Sequence, residues 1–137
     1  MILLLDENMP PKVADAIHAL GTYSASHSTK YLPRGAKDTV VFAFLKNKDW
    51  LLLSLDKKIA ERPHEIAAYR SAGVGGFVLM GKADRSVEQM CAFVFDLLPK
   101  MRKLANETPR PFLYGISPNK RFKLLLAPVP HQRRKRK

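Results

Sequence analysis

Ile2-Leu3-Leu4-Leu5-Asp6-Glu7-Asn8-Met9-Pro10-Pro11 and Trp50-Leu51-Leu52-Leu53-Ser54-Leu55-Asp56 decide the fold. Each begins as a short, unbroken apolar run and is stopped by an aspartate, the pattern of a strand buried on both faces of a parallel sheet. After the first run Asn8 is placed to cap a helix, and Pro10 and Pro11 fit its first turn. Val13, Ala14, Ile17, Ala19 and Leu20 then give an apolar stripe that Gly21 ends. Thr22 to His27 reads as a short second strand and Ser28 to Lys37 as loop. Asp38 opens a helix to about Lys48 that is apolar almost all round and therefore expected to be buried.

Beyond Asp56, Pro63 suits the first turn of a helix stopped by Gly73, and Gly76 to Met80 is the next strand. Ser86 and Gln89 have capping-box spacing at the head of a long helix, with Val87, Met90, Val94, Leu97, Met101 and Leu104 in helical period. Pro99 is expected to kink or divide it. Phe112 to Ile116 and Phe122 to Leu126 read as a closing hairpin. Strands alternating with helices imply the α/β class, with a largely parallel sheet covered on both faces.

The 137 residues suit one domain, and 46% apolar with 26% charged residues excludes wholesale disorder and a disulfide scaffold. Cys91 is the only cysteine, so nothing points to an oxidising compartment. Ile2 to Leu5 is too short for a signal peptide or membrane span, which makes a cytoplasmic protein without membrane contact the expectation. The formal net charge is +12 and unevenly spread. Residues 1–107 hold 15 basic and 12 acidic side chains, whereas 108–137 hold 9 basic and none acidic. Such an end attracts polyphosphate, making nucleic acid the first partner to consider; a solubilising tail or a contact for an acidic protein explains the charge equally well. The domain is expected over 1–127, followed by a disordered basic tail over 128–137 ending in Arg133, Arg134, Lys135, Arg136 and Lys137.

Ligands of such sheets bind beyond the carboxyl ends of the strands, where Asp6 and Asp56 would meet and Asp38 could join them. Three aspartates on one rim repel unless a cation lies between them, and oxygen-only ligands suit Mg²⁺ or Mn²⁺. That combination fits phosphodiester hydrolysis, with the basic surface, Lys57 and Lys58 included, holding the strand. Each residue also has a plainer use. Asp6, Asp38 and Asp56 suit helix or turn caps, Asp6 competing with Asn8 for the Pro10 helix, Glu7 a solvated or ion-paired position, His27 a packing role, Glu65 the dipole of its helix, and Cys91 the core.

Leu3-Leu4-Leu5-Asp6-Glu7-Asn8-Met9-Pro10-Pro11, His27, Asp38 and Leu53-Ser54-Leu55-Asp56-Lys57-Lys58-Ile59 together resemble the PIN-like nucleases, in particular the VapC-like toxins of prokaryotic toxin–antitoxin pairs. The likeness continues through Pro63, Glu65, Arg70 and Phe77-Val78-Leu79, covering about residues 1–80. It implies a three-layer α/β/α sandwich with a central, mainly parallel sheet, here with a C-terminal hairpin added. It also implies Mg²⁺- or Mn²⁺-dependent endoribonuclease activity and a cognate antitoxin. By that likeness Asp6, Asp38 and Asp56 are the catalytic, metal-holding acids, with Ser54, Asn8 and Glu7 in support. Relatives carry further acids where Thr39 and Val40 follow Asp38, and Lys57 and Lys58 follow Asp56. This thinning favours a second reading, a catalytically impaired module that binds RNA or a protein partner. The long Ser86 helix and the hairpin are candidate faces for a homodimer.

Overall fold

Leu3, Leu4 and Leu5 are wholly inaccessible to solvent, as a strand sandwiched between two layers requires. A computed structural model of the chain describes residues 1–81 and 84–128. In it β1 (Ile2–Leu5) lies between β2 (Ser24–His27) and β3 (Trp50–Ser54). Next to β3 come β4 (Gly75–Leu79), β5 (Phe112–Ile116) and β6 (Phe122–Leu126), giving a six-stranded sheet of order β2-β1-β3-β4-β5-β6. All neighbours pair in parallel except β5 and β6, the antiparallel hairpin at one edge.

Alternation along the central strands sorts the core into two halves. Leu3, Leu5, Leu51, Leu53 and Phe77 pack on one side with residues of α1 (Pro11–Ala19) and α4 (Val87–Glu107). Leu4, Leu52 and Val78 face the other side, covered by residues of α2 (Asp38–Leu45) and α3 (Pro63–Ala72). The result is the expected α/β/α sandwich, with two helices on each face. Gly73 ends α3 in the left-handed region at φ 68°. Gly76 admits the buried Tyr69 hydroxyl, which donates to Phe112 O at 2.7 Å; a Cβ there would stand 2.8 Å from that oxygen.

Several local expectations are corrected. The second helix stops at Leu45, because Lys46 is extended and Asn47 takes φ 64°. Nor is it apolar-buried all round, since Val40 is 45% exposed while Val41, Phe42 and Leu45 face the core. The first helix has Pro10 at its N-cap and no side-chain cap, so neither Asn8 nor Asp6 caps it. Helix α4 runs undivided through Pro99, held to the core on either side of it by Leu97, Leu98 and Met101. Its capping box forms as expected, Gln89 N donating to Ser86 Oγ at 3.1 Å and Ser86 N to Gln89 Oε1 at 2.8 Å. Cys91 is only partly buried, at the margin of the core. No helix among the described residues is long and apolar enough to cross a membrane.

Candidate active site

Because β1 and β3 are adjacent and parallel, the residues just past their carboxyl ends meet at one rim. Asp6 extends the pairing by one bond, its N–H donating to Leu53 O at 2.9 Å. Its side chain is nearly buried and fully engaged: Oδ1 accepts from Glu7 N and Oδ2 from Ser54 Oγ, both at 2.9 Å. Ser54, with no exposed surface, in turn accepts from Asp56 N at 2.9 Å, so one hydroxyl links the first aspartate to the backbone of the second. Asp56 Oδ1 accepts from Lys58 N at 3.0 Å and caps the 3₁₀ turn Lys57–Ala60. The capping use therefore holds for Asp56, and Lys57 and Lys58 stand exposed beside it.

Asp38 differs. It is the first residue of α2, whose N-cap is Lys37 with no side-chain cap bond, so the capping use expected of it is not made. It stands instead on the rim beside Asp56, the two lining the same cavity. Burial, then the charges of Asp6, Asp56 and Glu65, push the Asp38 carboxyl up to about 7. Asp6 is also raised, chiefly by burial, against the lowering effect of its bonds from Glu7 N and Ser54.

Two cavities share Asp38 and Asp56. One, of about 350 Å³, also meets Asp6, Glu7 and Asn8; the other, of about 490 Å³, meets Arg62, His64 and Glu65. Glu65 is 8% exposed and held by Arg62 Nη1 at 3.1 and 3.3 Å, with His64 Nε2 at 3.8 Å. The sequence places Glu65 at a helix start and within the stretch that resembles the family, as a candidate with Glu7 to replace the missing acids. Its arrival beside the aspartates depends on α2 packing against α3, and the one local signal was the i,i+3 spacing of Arg62 and Glu65.

The residues named in support tie loops together. Glu7 Oε1 accepts from Gly35 N at 2.7 Å, pinning the loop before α2, and Asn8 Oδ1 accepts from Leu55 N at 3.2 Å. His27 is buried, bonding Met9 O and Thr29 Oγ1 at 2.7 Å each, which is the packing role expected of it. Arg133, Arg134, Lys135, Arg136 and Lys137 lie outside the described residues.

Among the described residues no group of three or more His, Cys, Asp and Glu side chains is placed to hold one metal ion. The donors are nonetheless all oxygen, and Asp6, Asp38 and Asp56 line one cavity. Such a set fits a hard cation taken by one or two carboxylates that keeps its other waters, as Mg²⁺ does.

Fold and rim together define an α/β domain with an acidic site at the carboxyl ends of its central strands. Residues 1–81 match the family model of the PIN-like domain, and the chain belongs to that family. The matched stretch runs from β1 through β4 and contains every acid of the rim, whereas α4 and the hairpin lie beyond it. No curated protein and no solved structure matches the chain. The PIN-like domain is a nuclease-type fold.

Proposed function

We propose that this protein is a metal-dependent endoribonuclease and the toxin of a toxin–antitoxin pair of the VapC type, acting in the cytoplasm on RNA. The observation that supports this best is the single cavity lined by Asp6, Asp38 and Asp56, with Asp6 joined to the Asp56 backbone through Ser54. Three acids around one cavity repel one another, burial sharpens this at Asp38, and a divalent cation between them removes the repulsion. Asp38 and Asp56 would hold Mg²⁺ or Mn²⁺, with Asp6 beside them. The chemistry such an ion supplies is polarisation of the phosphodiester and acidification of water. Ser54 keeps Asp6 and the Asp56 backbone in register, and Lys57 and Lys58 offer cations to the RNA backbone.

Incubation of the purified chain with single-stranded RNA and Mg²⁺ or Mn²⁺ tests the reading. Cleavage that chelator stops and Asp6→Asn abolishes supports it; no cleavage with either ion refutes it. The antitoxin is tested by co-expression with the product of the neighbouring gene, a stable complex without cleavage being the expected result. A second reading, an RNA- or protein-binding module without catalysis, is favoured by the absence of a three-ligand group among the described residues and by the lysines flanking Asp56. RNA binding that is unchanged by Mg²⁺ and unaccompanied by cleavage would select it.

A further inference from the structure

A second surface stands at the far end of α2. Tyr31, Phe44 and Trp50 form a triangle of rings with centroids 5.3, 5.5 and 5.7 Å apart. Two of the three are partly shielded. Lys48 Nζ lies 4.2 Å from the centroid of the Phe44 ring and bonds Phe44 O at 2.7 Å, and it is 6.0 Å from that of Trp50. Tyr31 stacks on Phe44 at an interplanar angle of 26°, yet 41% of its surface remains exposed. Trp50 meets the ring at a tilt, the hydroxyl lies 3.3 Å from Ser26 Oγ, and the exposed remainder of the residue has Lys30 Nζ 5.7 Å from the ring centroid.

The position relative to the acids matters. From Asp38 to Phe44 is six residues of one helix, a rise of about 9 Å. Over that span α2 presents Val40 to solvent, and the segment 28–50 carries Lys30, Arg34, Lys37, Lys46 and Lys48 against Asp38 and Asp49. Arg110 adds a further cation there, bonding Trp50 O at 2.8 Å and standing 3.8 Å from the exposed Asp49. Aromatic faces interleaved with lysines are the chemistry that takes single-stranded nucleic acid, bases on the rings and phosphates on the ammonium groups. An apolar helix of a protein partner would make no use of the lysines.

We propose that Tyr31, backed by Phe44 and Trp50 and flanked by Lys30 and Lys48, is a base-stacking subsite for single-stranded RNA, a few nucleotides from the acidic rim. The choice of polymer rests on the ribonuclease reading, whereas the test does not need cleavage. Trp50 is the only tryptophan of the chain and reports directly on its neighbour Tyr31.

The full chain is titrated in EDTA with a ten-nucleotide oligouridylate, and with inorganic polyphosphate of equal charge, while tryptophan fluorescence and RNA anisotropy are followed. RNA should quench Trp50 and polyphosphate should not. Tyr31→Ala should weaken RNA binding about tenfold without changing the salt slope, and Tyr31→Phe, which keeps the ring, should stay within about twofold. Lys48→Gln should instead lower the slope by about 0.7, the share of one phosphate neutralised on a single strand. Binding seen by anisotropy with neither quenching nor any effect of Tyr31→Ala overturns the proposal, as does equal quenching by polyphosphate. So does a Tyr31→Ala variant that binds RNA normally but no longer binds a protein partner. Quenching without cleavage when Mg²⁺ is added would sink the nuclease reading and leave this subsite standing; cleavage with an inert Tyr31 would do the reverse.

Discussion

Ser54 Oγ donates to Asp6 Oδ2 at 2.9 Å and is wholly buried where it does so. The same oxygen accepts from Asp56 N at 2.9 Å, so each strand end is fixed by the other through a single hydroxyl. Removing that hydroxyl leaves a buried carboxylate oxygen and a backbone N–H without this partner. Ser54→Ala should therefore destabilise the fold by about 1–3 kcal/mol. Urea unfolding measures it; a loss smaller than about 0.5 kcal/mol would mean that water replaces the hydroxyl at no cost.

Asp38 is raised from 3.8 to about 7, burial first and the neighbouring Asp6 and Asp56 charges next. The folded chain thus binds this proton more tightly than the unfolded chain. Its contribution to stability is fully present at acid pH, falls between about pH 4 and 7, and is lost above that window. Asp6, also raised, acts with the same sign. The metal-free midpoint of wild type minus that of Asp38→Asn should decline across this window, and Mg²⁺ should restore more at pH 8 than at pH 5. A difference that is flat with pH would show that Asp38 does not carry this repulsion.

Asp56 has two uses that substitution separates. Asn keeps an acceptor for Lys58 N and loses the charge, while Ala loses both. Asp56→Asn should hold stability within about 0.5 kcal/mol and reduce cleavage to below about one hundredth, whereas Asp56→Ala should also lose about 1 kcal/mol. Thermal melts and a cleavage assay on the same preparations check this. Equal activity in wild type and Asp56→Asn would leave the residue a turn cap and nothing more.

Pro99 is exposed in the interior of a 21-residue helix. It supplies no N–H for the carbonyl one turn earlier and contributes little buried surface. Pro99→Ala should stabilise the protein by about 1–3 kcal/mol, the helix-interior penalty of proline less what the surrounding packing has absorbed. Destabilisation in guanidinium titrations would mean instead that the proline sets the path by which Leu97, Leu98 and Met101 reach the core.

The apolar runs Ile2 to Leu5 and Trp50 to Leu55, each ended by an aspartate, were enough to place two buried parallel strands and two acids on one rim. Strand burial and strand polarity are local properties, written in consecutive residues. The capping box of Ser86 and the hairpin from Phe112 to Leu126 were legible for the same reason. The contacts that give the site its character were not. Asp38 sits at the start of a helix, where its type predicts a cap; only the approach of α2 to the β3 end brings it to the cavity it shares with Asp56. Glu65 reaches the acids because α3 packs beside α2, Asn8 binds Leu55 N across the sheet, and Tyr31 finds Phe44 and Trp50 from three separate segments. Each of these joins residues far apart in the chain. Such a contact depends on how helices seat on the sheet, and no periodicity or spacing within one segment encodes that.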